Sequence, residues 1–590
     1  MHETLGKRLF YVVFGAAAGY ALWLLAEAVE KETFGERSLL FFGLLLCVFS
    51  AGFFAMAGGL GVKRALIRAL PLGLLVAGLG LLVSLRWNGI DGLFEGPGPA
   101  LALIVLALLP VPFLIAEGVT GSWRNYPALF SISWAIVVQA AIALCFTWIT
   151  WMVIWVSVSL FNMVGLGFLE DILFSGAMPV VVSGAAFGLA VAVVSEISDH
   201  LSPRLVHHLL RLLLPVVALV SAVFALAALL RGFGDGFAGL SPALTLLAMA
   251  AAGITLIAAA LDESEAEAAR NPLILWSARA MALLLPVLAG MALWAVAIRL
   301  QAYGLSPNRL LVLVLAILAL AYGLAYAAAL ARGAQWAAQI RAANPWLALA
   351  VIGAAALWLS PLLNAEALSA QSMAARLRSG EAGPGSYFER DFRRLGRAGE
   401  TALVALEAEA QSGGKEQLQA ALAVIRSGQS WYDPQAEPEA AAGEDPAVLL
   451  AEVEALLPVS PASATGGRSN WLQQLPASEL SRIRSSCQTL LESGKKGCVM
   501  VIADLLPEEP GEEAVLLLAD ESGWAELRGL ATDEAGGLRW LNPYSALQGR
   551  SYDQAWLRAQ LDAWQEAPPP LTPARLNQIG TGDAALIFLP

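Results

Sequence analysis

The chain has 590 residues, of which 58% are hydrophobic and only 14% are charged, and its mean hydropathy is +0.65. These values exclude an ordinary soluble globular protein and indicate a membrane protein. The net charge of −12 is unevenly distributed, since it is +1 up to Leu363 and −13 beyond it, and an acidic second part argues against a nucleic-acid partner.

Apolar runs recur along residues 9–363 and then stop. About 20 apolar residues in a helix cross a bilayer core of about 30 Å, so we predict eleven transmembrane helices surrounded by a lipid bilayer. The fifth run contains no Gly or Pro for a turn inside the bilayer, which favours one long helix over two. The predicted segments are Leu9–Ala26, Leu39–Leu60, Ala65–Leu85, Pro99–Ala116, Leu129–Phe161, Met178–Ser195, Leu209–Leu230, Leu240–Leu261, Ala280–Ile298, Leu310–Leu330 and Pro345–Leu363.

The connectors between these runs carry twelve Lys and Arg on one side of the bundle and six on the other. Basic residues favour the cytoplasmic side, and this places the N-terminus in the cytoplasm. An odd number of spans then exports everything beyond Leu363. The first apolar run lacks a small-residue cleavage site, so we expect it to remain as the first helix.

Four regions follow from this division: a transmembrane helical bundle at 1–363, a helical exit segment at 364–430, an acidic linker with several prolines at 431–446, and a soluble domain at 447–590. Short β-rich runs appear in the last region, in CVMVIAD, AVLLLAD, WAELRGL and AALIFL, after a helix at Ala477–Glu492. The fold class is therefore a polytopic α-helical membrane bundle followed by a small α+β domain.

Cys487 and Cys498 are the two cysteines of the soluble region and flank the turn-containing stretch QTLLESGKKG. This arrangement favours a disulfide, which persists only in an oxidising compartment, although two unrelated buried thiols remain the alternative.

Motifs of enzymes are lacking from the sequence, since there is no Walker A loop, HExxH, nucleophile elbow or Rossmann fingerprint. We therefore expect a non-enzymatic protein without cofactor or metal. The stretch EISDHLSPRLVHH, residues 196–208, holds residue types that zinc accepts, but ordinary interface residues are the favoured reading. Glu117 follows a run broken by two prolines and is a candidate solute site in a transporter or channel.

The connector IRLQAYGLSPNRL, residues 298–310, has turn residues between two arginines. Gly304 suits a reversal of direction, and Tyr303 suits an interface belt. Arg299 and Arg309 can both extend to lipid headgroups. The sequence thus predicts an anchoring and docking hairpin, with a solute or partner site at Arg299, Tyr303 and Arg309 as the alternative.

Residues 271–310, together with AYGLAYAAAL and SPLLNAEALSAQSMAARLRSG, resemble the bacterial membrane family called domain of unknown function 4153. The resemblance extends over about residues 131–403, and its most specific parts are the turn from Tyr303 to Arg309 and the exit from Asn364 to Arg376. It implies a multi-pass protein of a bacterial inner membrane followed by a soluble domain, with no established activity.

Two functions remain open at this level. The first is a non-enzymatic inner-membrane protein that displays a periplasmic domain for binding or scaffolding of an envelope protein. The second is a transporter or channel for a small or lipid-like solute. The oligomeric state is left open.

Overall fold

A computed structural model of the chain describes residues 2–31, 33–197, 204–231, 241–382, 387, 389–411, 418–419, 421–422, 425, 446–464, 469, 471–475, 477–491, 493–506, 512–519, 525–532, 538–541, 554–569, 578–579 and 586–587. The chain folds into two compact units, Met1–Ser430 and Trp431–Pro590. Their boundary falls at the start of the predicted acidic linker, 431–446, of which residues 431–445 lie outside the described ranges.

Helices make up the described part of the first unit. Among the described residues, eleven stretches of helix are long and apolar enough to cross a membrane, with Pro97–Thr120 counted as one, and the prediction of about eleven spans is confirmed. The helices are α1 His2–Glu30, α2 Glu36–Leu60, α3 Val62–Ser84, α4 Pro97–Leu108, α5 Pro110–Thr120, α6 Tyr126–Met163, α7 Phe168–Leu173, α8 Met178–Ile197, α9 Arg204–Arg231, α10 Pro242–Leu261, α11 Pro272–Tyr303, α12 Pro307–Leu330, α13 Trp336–Leu359, α14 Ala365–Ser379, α15 Glu389–Arg394 and α16 Gly396–Gln411.

Local chemistry fixes where several of these helices begin. A side-chain oxygen accepts a hydrogen bond from a first-turn N–H, which would otherwise have no partner, at Asn125, Asn271, Ser306 and Asn364. Proline occupies the first or second position of six helices, where its missing N–H costs nothing. The helix starts are therefore encoded within a few residues.

Several predicted segments differ from the structure in their bounds; the predicted Ala280–Ile298, for example, is part of α11 Pro272–Tyr303. Two of the differences have a clear local cause. The span predicted as Pro99–Ala116 is divided, because Pro110 cannot continue the hydrogen-bond ladder of α4 and instead starts α5. The last span starts at Trp336 rather than at Pro345, because Arg341 is buried and donates to the Leu261 carbonyl at 3.0 Å instead of marking a membrane border. The fifth run forms the single long helix α6, as predicted.

Helices α1 and α8 pack backbone to backbone, and each contributes two glycines four residues apart. These are Gly15 and Gly19 in the GAAAG of α1, and Gly184 and Gly188 in the GAAFG of α8. A Cβ on Gly15 would lie 2.0 Å from the Gly184 carbonyl oxygen, and one on Gly188 would lie 2.2 Å from the Tyr11 carbonyl oxygen. Only glycine permits such an approach, which is the usual way for helices to associate in lipid. Arg8 and Glu196 pair at 2.5 Å near one end of the same helix pair.

Two large apolar cores lie in the described part of the first unit. One is formed mainly by α1–α5 and α8 and includes Trp358 and Leu359 of α13. The other is formed by α9–α13 and includes Trp336 and Ile340 of the same helix. Helix α13 therefore passes from one core to the other and joins them.

The second unit contains a five-stranded sheet in the order β1-β2-β3-β4-β5, in which β1 and β2 are parallel and the other neighbours antiparallel. Met500 of β2 lies in the core beneath the helices Pro446–Leu456 and Ala477–Gln488. Val499 lies in a second core beneath the helix Gln554–Glu566. The α+β fold class is thus confirmed. The elements are α17 Pro446–Leu456, β1 Val459–Ser460, α18 Ala477–Gln488, β2 Cys498–Ala503, β3 Glu513–Ala519, β4 Ala525–Thr532, β5 Leu538–Leu541, α19 Gln554–Glu566, β6 Gln578–Ile579 and β7 Leu586–Ile587.

Candidate functional site

Arg86, which follows α3, is buried where the chain leaves its last span. Its Nη1 donates to Glu366 Oε2 at 2.7 Å, and the side chains are only 7% and 4% exposed. Its Nη2 donates to the carbonyls of Trp358, Ser360 and Leu363 at 2.7, 2.8 and 3.2 Å. One guanidinium therefore holds the end of α13 to the start of α14.

The residues after Arg86 contact the next two helices of the exit segment. The Trp87 Nε1–H donates to the Arg394 carbonyl at 3.1 Å, and the Arg397 N–H donates to the Arg86 carbonyl at 2.9 Å. Gly396, which lies between Arg394 and Arg397 in the sequence, has a φ of +59, and a Cβ there would lie 2.5 Å from the Arg86 carbonyl oxygen. Together with Glu366, these residues form what we call the exit joint, which binds α14–α16 to the bundle.

The predicted site at the connector 298–310 lies against the same exit segment. Arg376 of α14 donates to the carbonyls of Gln301 and Ala302 at 3.1 and 2.7 Å, where α11 ends. Arg309 donates to the carbonyls of Tyr303 and Gly304 at 3.0 and 2.9 Å, and its guanidinium lies 5.2 Å from the centre of the Tyr303 ring. These contacts cap the C-terminus of α11, where a cation is favoured.

The remaining arginine of that connector, Arg299, is exposed and lies one turn earlier in α11. The structure therefore brings Tyr303 and Arg309 together with the exit segment and leaves Arg299 at the surface. Close by, burial raises the pKa of Tyr387, and neighbouring arginines, Arg376 foremost, oppose that rise.

Glu117 lies near the end of α5, far in sequence from its partner Arg68 of α3. The two side chains are 3.2 Å apart, and the glutamate side chain is 54% exposed. Arg68 also donates to the Leu114 carbonyl. The carboxylate is thus part of an open ion pair near the end of a helix.

Cys487 and Cys498 are joined by a disulfide, with their Cα atoms 4.9 Å apart, between α18 and β2. The two residues are 2% and 0% exposed. The turn that they enclose is held by α19, since the Lys495 ammonium donates to the Asp562 carbonyl at 2.9 Å and to Glu566 at 2.6 Å.

A buried charged cluster was not predicted from the sequence. Asp262, which directly follows α10, contacts Arg211 and lies 3.2 Å from His207 Nδ1. Its backbone has φ +53, a conformation that is rare outside glycine. Burial alone would raise the pKa of Asp262, but hydrogen bonds from His207 and the Glu263 N–H, and the charge of Arg211, bring it below its ordinary value.

The signal for this cluster is weak in the sequence, because His207 and Asp262 are 55 residues apart. His207 belongs to the stretch considered for zinc, and residues 198–203 of that stretch lie outside the described ranges. The contacts of His207 therefore do not test whether the stretch 196–208 binds zinc.

Comparison with known proteins found no matching family model, no matching curated protein and no matching solved structure. The resemblance to the family called domain of unknown function 4153 accordingly stays a prediction. The class that the fold defines is a multi-pass membrane protein with a small α+β unit at its C-terminal end.

Proposed function

We propose that this membrane protein displays its C-terminal α+β unit on the outer side of a bacterial inner membrane, where the unit binds another protein of the envelope. The exit joint carries the proposal. Four acceptors on one buried guanidinium fix the first helix beyond the last span to the bundle. The exit joint thus holds the start of the segment through which the chain leads to the second unit.

The direction of export rests on two supports. The first is the odd number of spans combined with the excess of basic residues in the connectors of one side. The second is the Cys487–Cys498 disulfide, since disulfides persist in the periplasm and are rare in the cytoplasm.

Arginine and tryptophan clusters indicate a membrane interface at the basic side of the bundle. Arg124 lies between the rings of Trp123 and Trp346, at 4.8 and 5.0 Å from their centres. Arg279 lies between Trp276 and Trp336 in the same way, at 5.5 and 5.4 Å. Both arginines belong to connectors or helix ends on the basic side, and tryptophan with arginine is typical of a membrane interface.

The partner-binding part of the proposal is tested by photocrosslinking from the full chain in cells. A photoreactive residue is placed at Val448, Leu490 or Trp556 of the second unit, which are 55%, 69% and 43% exposed. Val404 of α16, which is 64% exposed, is the matched control. We expect an adduct to one envelope protein from the second unit and none from Val404. An exported second unit that yields no adduct at any of the three positions would contradict the proposal.

Measurement of solute flux into proteoliposomes distinguishes transport of a solute from display of a partner-binding unit. Glu117 is paired with Arg68 and half exposed, which gives it the setting of a surface ion pair rather than of a buried ion path. Solute flux that disappears in the Glu117→Gln variant would replace partner display with transport as the function.

A further inference from the structure

Arg124, in the connector between α5 and α6, is exposed and lies against two tryptophan rings. Its guanidinium carbon lies 4.8 and 5.0 Å from the ring centres of Trp123 and Trp346. The two rings are inclined at 84° to each other, and Trp346 of α13 is 54% exposed. Attraction to the ring faces orients the guanidinium. Among the described residues, however, no side chain or carbonyl accepts a hydrogen bond from it.

Arg279 of α11 has surroundings of the same kind. Its guanidinium carbon lies 5.5 and 5.4 Å from the ring centres of Trp276, one turn earlier in α11, and Trp336, at the start of α13. Trp276 is 67% exposed, whereas Trp336 is buried. The part of the chain that the structure describes offers this guanidinium no acceptor either. At two places in the bundle, therefore, tryptophan rings orient an arginine whose N–H groups can take a ligand.

Both arginines lie at the border of the membrane. Arg279 precedes Arg299 by 20 residues in α11, which is about 30 Å of helix and equals the thickness of a bilayer core. Arg124 lies between two apolar spans, Pro97–Thr120 and Tyr126–Met163. Tryptophan at such a border sits at the level of the lipid headgroups. The guanidinium groups are therefore at the depth where lipid phosphates lie.

Phosphate is the acceptor that fits these groups. A guanidinium presents two parallel N–H donors to two phosphate oxygens, and its planar shape allows it to stack on an aromatic face at the same time. Two carboxylates of the same side, Glu117 and Asp262, are paired with arginines of their own. The connectors of this side carry twelve Lys and Arg, which attract a headgroup of net negative charge.

We propose that Arg124 and Arg279 each bind the phosphate of an anionic phospholipid. The exposed ring beside each arginine, Trp346 or Trp276, packs against the glycerol and upper acyl chain of the same lipid, because an indole is largely apolar. Phosphatidylglycerol binds better than phosphatidylcholine, whose quaternary ammonium is repelled by the basic connectors. The inference depends on the membrane location of the bundle and not on export of the second unit, so the two can fail separately.

The test is native mass spectrometry of the full chain, titrated in detergent with phosphatidylglycerol and, separately, with phosphatidylcholine. The double variant Arg124→Gln, Arg279→Gln removes both guanidinium groups. Its matched control is Arg64→Gln, Arg332→Gln, because these two arginines are exposed on the same side and lie against no aromatic ring of the described residues.

We expect the unaltered chain to bind phosphatidylglycerol more tightly than phosphatidylcholine. The variant of Arg124 and Arg279 should bind phosphatidylglycerol about tenfold more weakly, the effect of losing one hydrogen bond to a charged group. The control variant should keep most of the affinity, because general attraction to the basic side is only slightly reduced. Equal affinity for the two lipids, or equal losses in the two variants, would overturn the proposal.

A further variant, Arg124→Lys, Arg279→Lys, keeps both charges and loses the paired donors of the guanidinium. We expect it to bind phosphatidylglycerol more weakly as well, and unchanged affinity would overturn the proposal. It also takes the place of the glutamine variant if gel filtration shows that the latter does not fold. Inorganic phosphate is added as a competitor. Release of the lipid by phosphate at a similar concentration would identify a site for soluble anions and so contradict lipid binding.

Discussion

Gly15 of α1 and Gly184 of α8 face each other so closely that a Cβ on Gly184 would lie 2.1 Å from the Gly15 carbonyl oxygen. A side chain at either position would collide with the backbone of the other helix, so both positions require glycine. The obstacle is backbone rather than a side chain that can turn away, and the same is true one helical turn further on, at Gly188 and Tyr11. The pairing joins the first span to the sixth.

Replacing Gly184 by isoleucine is expected to destabilise the bundle by at least about 1–3 kcal/mol, the usual cost of overpacking a filled core. Gly78→Ile in α3 is the matched control, because a Cβ there meets nothing within 4 Å. Reversible unfolding in mixed micelles measures both. Equal stability of the two variants would contradict the close α1–α8 contact.

The contacts of the exit joint predict a large loss of stability when one of its charges is removed. Glu366→Gln leaves the buried Arg86 without its carboxylate, and removal of one partner of a buried pair costs about 3–5 kcal/mol. The comparison is Glu409→Gln, which removes the partner of Arg378 from an exposed pair worth about 0–1 kcal/mol. Limited proteolysis of the exit segment, with unfolding measured in parallel, checks the difference. Equal protection in both variants would mean that the joint does not hold α14.

Gly304 combines backbone strain with crowding. Gly304 and Gly333 both have positive φ, +72 and +67, but a Cβ on Gly304 would lie 2.8 Å from Arg376 Cδ, while one on Gly333 would meet nothing within 4 Å. Positive φ costs an alanine about 1–3 kcal/mol, and Gly304, with ψ −175, lies in a conformation that is essentially confined to glycine. We expect Gly304→Ala to lose more than Gly333→Ala in thermal unfolding. A smaller loss at Gly304 would argue against the contact of the turn with α14.

The disulfide is expected to resist reagents in the folded protein, because Cys487 and Cys498 are 2% and 0% exposed. Its removal in a Cys487→Ser, Cys498→Ser double variant should destabilise the second unit by about 2–4 kcal/mol. The free Cys47 and Cys145 are exposed and are replaced by serine beforehand, so that alkylation reports only the pair. Rapid alkylation of the folded, unreduced chain would contradict the bridge.

The spans were predictable because each depends on a local run of apolar residues, and several have a proline, asparagine or serine at the start. The strands β1, β5 and β6 were not predicted, since two to four residues carry too little periodicity. Arg341 shows a different limit. Its charge suggests a membrane border, but its position on α13 and its bond to the Leu261 carbonyl depend on a helix 80 residues away.

Some features of the candidate sites were predictable from the sequence, and others were not. The cysteine pair is close in sequence, and its spacing alone suggested the bridge. The positive φ of Asp262 and its contacts with His207 and Arg211 arise only when α9 and the end of α10 meet, and no local pattern signals that meeting. Likewise, nothing near Arg86 in sequence indicates Glu366, which lies 280 residues away.

Export of the second unit is the central claim, and reporters fused after Pro590 test it most directly. We predict that a phosphatase that needs disulfides for activity is active in that position, while a fluorescent protein that folds only in the cytoplasm stays dark. The same reporters fused after Arg332, in a connector of the basic side, should give the reverse pattern. Fluorescence without phosphatase activity after Pro590 would place the second unit in the cytoplasm and contradict the account.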